Sequence, residues 1–273
     1  MTLKTITFVG GGNMARSLVG GLRARNDELA IRVAEPDAVA REAIARQFGV
    51  EAHADNAVAV AGADVVVLAV KPQVMRDVCS ALATVTRSAG TLWISIAAAI
   101  RMAQLDVWLG GGQAIVRTMP NTPALIGAGI TGMVANGRVG AAQRELAASV
   151  LRAAGETVWI EREELMDAVT AVSGSGPAYF LMMMEALEKA AIQQGLPPST
   201  ARSLVLQTAL GAARMAVASD EAPSELRKRV TSPGGTTAAA IGAFESGGFE
   251  RLVVAAIAAA TRRGTELADA MAD

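Results

Sequence analysis

Five β-prone residues, Thr5–Val9, run straight into Gly10-Gly11-Gly12-Asn13-Met14-Ala15, and a helical pattern continues over Asn13–Arg25. A strand, a glycine turn and a helix in that order leave few folds open. The spacing is Gly-x-Gly-x-x-Ala, the phosphate-binding turn of dinucleotide-binding βαβ units. Gly10 permits the tight turn. Gly12 has no Cβ to hold a pyrophosphate away from the backbone, and Ala15 is small enough for the helix to pack on the strand. The helix N-terminus, opening at Asn13 and Met14, turns its free N–H groups and its dipole toward the phosphates.

The rest of the first half keeps the alternation. Strands are predicted at 31–34, 64–70, 91–96, Ala114–Met119 and 157–160, and helices at 37–48 and 73–85. Val65-Val-Val-Leu-Ala-Val70 is apolar without alternating, as in a strand covered on both faces of a parallel sheet. The pattern is that of an α/β fold, with an N-terminal Rossmann-type dinucleotide-binding domain over residues 1–162. From residue 163 the strands stop. Helices are predicted at 163–172, 178–194, 199–218, 224–230, 236–245 and Phe249–Ala270, broken at Gly195-Leu-Pro-Pro198 and Ser232-Pro-Gly-Gly235. Residues 163–273 therefore read as an all-α domain. Its helices are apolar around much of their circumference, and about 110 residues cannot cover that surface alone, so a subunit interface is expected here.

Composition narrows the function. Hydrophobic residues make up 52% and charged residues 19%, which excludes disorder. Lys+Arg is 25 against Asp+Glu 26, so there is no electrostatic footprint for nucleic acid or an acidic membrane. With one cysteine, Cys79, and one histidine, His53, disulfide frameworks, Cys- or His-rich metal centres and paired-His catalysis drop out, and no metal is expected. The apolar stretch 252–260 falls far short of the ~20 residues a bilayer needs. The N-terminus lacks the basic start and cleavage site of a signal peptide, so a soluble cytoplasmic protein is expected.

Within the cofactor half, Glu35 follows the second strand, where an acid hydrogen-bonds an adenosine ribose and repels a 2′-phosphate. Arg32 and Arg41 stand near enough to offset that repulsion, and capping of the next helix is the other role open to Glu35. Leu68-Ala-Val-Lys-Pro-Gln73 brings Lys71, one of four lysines, to the carboxyl edge of the sheet, where ligands bind or where it is a plain surface lysine. His53 reads as a surface residue near the adenosine end and Cys79 as a small core residue. No His, Lys or Tyr is placed as a general base for alcohol oxidation. Reduction of an imine asks for less, since a protonated C=N is already electrophilic. Ser173-Gly-Ser-Gly-Pro-Ala-Tyr179 and Val230-Thr-Ser-Pro-Gly-Gly-Thr-Thr237 each open a helix with hydroxyls and glycines. Each suits a carboxylate or serves as an ordinary cap, and two such turns in one domain favour substrate binding.

Together these stretches resemble pyrroline-5-carboxylate reductase. The resemblance runs from Phe8-Val-Gly-Gly-Gly-Asn-Met-Ala15 to Arg262. It passes through Ala69-Val-Lys-Pro-Gln73, Ser95-Ile-Ala-Ala98, Arg117-Thr-Met-Pro-Asn-Thr-Pro123, Gly174-Ser-Gly-Pro-Ala-Tyr179 and Val230-Thr-Ser-Pro-Gly-Gly-Thr-Thr237. Ala99 departs from it, standing where that family usually has glycine. The resemblance implies reduction of 1-pyrroline-5-carboxylate to L-proline by NADPH or NADH. It also implies a helical domain interleaved in a dimer, often with five dimers in a decamer, and substrate sites near the dimer interface. By the same mapping Ser232, Gly235, Thr236 and Thr237 contact the substrate, its carboxylate on the N–H groups of Gly235 and Thr236 and its imine nitrogen near the Thr237 hydroxyl. Asn56 lies near the adenosine ribose. Ala69, Val70, Lys71 and Pro72 line the cofactor, and Ala97, Ala98 and Asn121 approach the nicotinamide side. Two other readings stay open: a β-hydroxyacid-type dehydrogenase, which ordinarily carries a catalytic lysine early in its first long second-domain helix, and a non-catalytic dinucleotide sensor.

Overall fold

The computed structural model describes residues 4–26, 28–85 and 90–271. Its sheet is built from β1 (Thr5–Val9), β2 (Ala30–Ala34), β3 (Glu51–His53), β4 (Val65–Leu68), β5 (Leu92–Ser95), β6 (Ala114–Met119), β7 (Gly129–Ala135) and β8 (Gly155–Trp159). They lie in the order β3-β2-β1-β4-β5-β6-β7-β8. All neighbours are parallel except β6 and β7. The order reverses between β1 and β4, and in open α/β sheets that switch point makes the ligand crevice.

Helices α1 (Asn13–Arg25), α2 (Ala38–Phe48), α3 (Asn56–Val60), α4 (Pro72–Leu82), α5 (Met102–Trp108) and α6 (Ala141–Leu151) follow the strands. On α1, Ala15, Leu18, Val19 and Leu22 are buried, the spacing of a single helical face. The sheet carries a core on each side. Val65 and Val67 join Phe8, Leu18 and Ile44 in one, while Val66 and Leu68 join Met75, Cys79 and Trp93 in the other. This is why β4 reads as an unbroken apolar run.

Two strands and three helices of this part go beyond the sequence pattern: β3, β7, α3, α5 and α6. The three residues of β3 alternate without an apolar face. Glycines in β7 read as breakers but serve close packing. A Cβ on Gly129 would stand 2.9 Å from Ala124, and one on Gly132 would stand 2.6 Å from Val169 Cγ1.

Beyond β8, the single helix expected at 163–172 is three short segments. They are a 3-10 turn (Glu163–Leu165), α7 (Met166–Val169) and a π turn (Thr170–Gly174) closed by Ser175 N–H donating to the Thr170 carbonyl at 2.8 Å. Helices α8 (Gly176–Gln193), α9 (Pro198–Val217), α10 (Pro223–Arg229), α11 (Thr236–Ser246) and α12 (Phe249–Ala270) follow. Packing divides the chain after Ser175 and again within α12. Gly176–Ala258 forms one compact unit, and the chain from Ala259 onward belongs with the sheet. The sequence boundary after residue 162 marks where strands end, whereas packing continues through the π turn. Among the described residues, no helix is long and apolar enough to cross a membrane.

Candidate active site

In the sheet unit the glycine turn sits at the carboxyl ends of β1 and β4. Gly10 has φ +104°, and a Cβ there would meet the Ala69 carbonyl oxygen at 2.8 Å. Ala69 in turn donates to the Val9 carbonyl at 2.8 Å, so Gly10, Ala69 and Val70 form one tight seam. Gly12 is different: its backbone is extended, and a Cβ on it would have nothing within 4 Å. No packing reason demands glycine there. No side chain caps α1, so the N–H groups of its first turn, Asn13, Met14 and Ala15, are left for an anion. An open face at Gly12 and an uncapped helix end fit the diphosphate of a dinucleotide.

Glu35 half-buries its carboxylate against this turn. Oε2 accepts from the Gly11 N–H at 2.9 Å and Oε1 from the Asp37 N–H at 3.0 Å. Helix α2 is capped by Asp37, which accepts from the Ala40 N–H at 2.7 Å, so capping is not the task of Glu35. Arg41 donates to the Glu35 and Pro36 carbonyls, and Arg32 reaches Glu51 and the end of α3. Asn56 opens α3 beyond β3. His53 lies on the edge strand, its Nε2 2.8 Å from a Glu51 oxygen. Lys71, exposed, and Pro72 begin α4.

At β5 and β6 the turn Ile96-Ala-Ala-Ala-Ile100 carries Ala97 and Ala98. Ala97 donates to Ser95 Oγ at 3.3 Å. Ala99 adopts φ +64°, the one non-glycine residue with positive φ among those described. A methyl in the left-handed region costs roughly 1–2 kcal/mol, so the turn keeps a glycine-like path against that cost. Asn121 is buried and its amide is engaged at both ends. Nδ2 donates to the Ser173 carbonyl at 3.1 Å, and Oδ1 accepts from the Ile130 N–H at 3.0 Å. Cys79 is buried in the core and its thiol is pushed up to about 12 by desolvation, so it is inert at neutral pH.

In the helical unit, Ser232, Gly235, Thr236 and Thr237 fall on one turn. Gly234 has φ +71°, and a Cβ on Gly235 would stand 2.7 Å from Ser232 Oγ. The Gly235 N–H is already bound to the Ser232 carbonyl at 3.1 Å, and the Gly235 carbonyl receives the first bond of α11 from Ala239. No side chain caps α11. The N–H groups left at this helix end are therefore those of Thr236, Thr237 and Ala238, and that of Gly235, expected from the sequence to act beside Thr236, is already bonded. Thr237 is half-buried and Ser232 exposed. In the other hydroxyl-rich turn, Ser173 Oγ donates to the Val169 carbonyl within the π turn. A separate cleft of about 550 Å³, lined by Met183, Leu187, Phe244 and Phe249 with Arg227 and Arg251, contains none of the candidate residues.

The chain shares sequence and fold with characterised proteins. Residues 163–267 match the family model for pyrroline-5-carboxylate reductase dimerisation, and residues 5–99 match that for NADP oxidoreductase, coenzyme F420-dependent. A pyrroline-5-carboxylate reductase of Pseudomonas aeruginosa is 52% identical over 98% of both chains. The structure of a pyrroline-5-carboxylate reductase from Coxiella burnetii superposes with a TM-score of 0.95 at 43% identity, covering 97% of this chain and 99% of that one. A Plasmodium falciparum pyrroline carboxylate reductase with NADP bound superposes with a TM-score of 0.83 at 28% identity, over 98% of both chains.

Proposed function

The chain belongs to the pyrroline-5-carboxylate reductase family, and from that membership we propose a division of labour among its residues. The reaction is reduction of 1-pyrroline-5-carboxylate to L-proline, the closing step of proline biosynthesis. Bound NAD(P)H supplies the hydride. The imine carbon receives it, the C=N bond becomes a single bond, and the ring nitrogen keeps or gains one proton.

Gly10 and Gly12, with the N–H groups of Asn13, Met14 and Ala15, hold the diphosphate. Glu35 and Asn56 border the adenosine ribose. Ala69, Val70, Lys71 and Pro72 line the strand edge, and Ala97, Ala98 and the backbone at Asn121 bound the nicotinamide end. Ser232 and Gly235 shape the turn. The N–H groups of Thr236 and Thr237 take the substrate carboxylate, where the dipole of α11 adds to the attraction. That fixes the ring, with its nitrogen beside the Thr237 hydroxyl. The observation that carries this reading is the uncapped start of α11 on a Ser-Pro-Gly-Gly-Thr-Thr turn. A protonated imine needs a hydrogen-bond partner rather than a base, which a threonine provides. We place the reaction in the cytoplasm, where pyridine nucleotides are kept reduced.

Thr237→Val keeps the shape and removes the hydroxyl, whereas Thr237→Ser keeps it. The expected result is a kcat lowered about 10- to 1000-fold in the valine variant, with most activity retained by serine and cofactor affinity unmoved in both. Steady-state kinetics at saturating cofactor check this. A valine variant with wild-type kcat and KM removes Thr237 from the mechanism.

A further inference from the structure

Three glycines in succession, Gly10-Gly11-Gly12, make a pliant stretch, because glycine has the widest choice of φ and ψ. Each of the three is nonetheless held. The Gly10 N–H donates to the Ala34 carbonyl at 2.8 Å. Gly11 is buried between two charged side chains. Its N–H donates to Glu35 Oε2 at 2.9 Å, and its carbonyl accepts from Arg16 Nε at 3.1 Å. The rest of that guanidinium is tied to α2. Nη2 donates to the Ala40 carbonyl at 3.0 Å, and Nη1 donates to Gln47 Oε1 at 3.3 Å. The backbone of the same arginine takes the next carbonyl, its N–H donating to that of Gly12 at 2.9 Å. Arg16 ends the first turn of α1, where the helix dipole opposes a cation, so the helix itself gains nothing from its charge.

In a planar trans peptide the C=O and the N–H that follows it point in opposite directions. Holding the Gly11 carbonyl on Arg16 therefore turns the Gly12 N–H to the other side, and holding the Gly12 carbonyl does the same for the Asn13 N–H. Gly12 is also the residue with open space beside it, since a Cβ there would have nothing within 4 Å. We propose that Arg16 is a positioning residue of the cofactor cradle: by pinning the Gly11 carbonyl to α2 it sets the Gly12 and Asn13 N–H groups for the diphosphate before the cofactor arrives. The proposal rests on the reading, given above, that this turn holds the diphosphate. Arg16 acts through the turn and not as a phosphate ligand, because each of its three guanidinium nitrogens already donates to the protein. A turn fixed in its bound form spares the ligand the cost of ordering it, so the effect is read in cofactor affinity. The diphosphate is common to NADPH and NADH, so both are affected alike.

Arg16→Met keeps the apolar stem and removes the donors, and Arg16→Lys keeps the charge and removes the fork. The expected result for Arg16→Met is a dissociation constant about tenfold higher for NADPH and for NADH alike, read from nucleotide fluorescence. In Arg16→Lys the rise is about threefold, since one ammonium cannot span the Gly11, Ala40 and Gln47 acceptors. In both variants kcat at saturating cofactor and KM for 1-pyrroline-5-carboxylate stay within about twofold of wild type. Gly12→Val tests the underlying reading separately, because it obstructs the diphosphate whatever holds the Gly11 carbonyl. Affinity lowered in Gly12→Val but unchanged in Arg16→Met overturns the proposal and leaves that reading standing. Affinity unchanged in both overturns the reading, and the proposal with it. Wild-type affinity in Arg16→Lys overturns the proposal by itself, since it makes Arg16 a plain attracting charge, and this variant carries the test where the methionine variant does not fold. A loss confined to one of the two cofactors, or a matching fall in kcat at saturating cofactor, overturns it as well.

Discussion

A single carboxylate, Glu35, does two things at the mouth of the glycine turn. It braces the loop through the Gly11 and Asp37 N–H groups, and on the reading proposed above it borders the adenosine ribose, where its charge would face the 2′ substituent. Replacing it with serine removes the charge and loosens the brace. One charge-assisted contact is worth roughly 1.5–3 kcal/mol, so the ratio of kcat/KM for NADPH over NADH is expected to rise about tenfold or more. Parallel steady-state kinetics with the two cofactors check it, and an unchanged ratio would leave Glu35 as a brace alone. Cys79 makes a different prediction, one of stability. Its thiol titrates near 9.0 when free and about 12 in the fold, so the unfolded chain loses its proton first as pH rises. The folded state therefore binds more protons above that point, and stability falls by about 1.4 kcal/mol per pH unit across this window. Urea denaturation between pH 8 and about 11 should show this slope, and Cys79→Ala should lack that increment.

Among the elements, the β1–α1 junction separates a glycine that packing demands, Gly10, from one that packing does not, Gly12. Gly10→Ala forces a methyl into a positive φ and against a backbone carbonyl, so it should destabilise the fold. Gly12→Val adds a side chain where φ is ordinary and space is open, so thermal unfolding should stay within a few degrees while KM for NAD(P)H rises more than about tenfold. A large fall in melting temperature for Gly12→Val would mean that this glycine serves packing after all. This junction was legible in the sequence because all its signals are local: strand, turn and helix lie within about twenty residues, and β1, β6, α1 and α12 fall where their patterns end. The rest of the sheet was less so. The glycines of β7 exist because Ala124 and Val169 come close from other elements, and nothing local distinguishes such a glycine from a breaker. The π turn hides in an ordinary helical pattern for the same reason. In the proposed substrate turn, the helix-opening stretch Ser232–Thr237 was readable, but the N–H groups left open there were not, since only the fold shows the Gly235 N–H spent on Ser232. The ion pair of buried Arg117 with Glu163 was invisible, because the two residues lie 46 positions apart.

Across the whole molecule, the two units differ in what holds them together. The sheet unit has a core on each face, whereas Gly176 and Ala201 are the only buried residues described within Gly176–Ala258. Phe180, Leu181 and Met182 on α8, Leu204 and Val217 on α9, and Leu252 and Val254 on α12 are all exposed in the single chain. Apolar surface of that extent is covered by a second copy, as the dimerisation match over 163–267 records. The chain therefore self-associates through its helical part, and holds the cofactor in the part with a core on each face of the sheet. The transferred atom reports the reaction directly. The enzyme should be given 1-pyrroline-5-carboxylate and NADPH or NADH deuterated at the transferred position, and the product read by mass and NMR. The account predicts L-proline with one deuterium on ring carbon C5, next to nitrogen, and negligible oxidation of hydroxy acids by NAD(P)⁺. Unlabelled proline, no proline, or turnover of hydroxy acids in its place would contradict it.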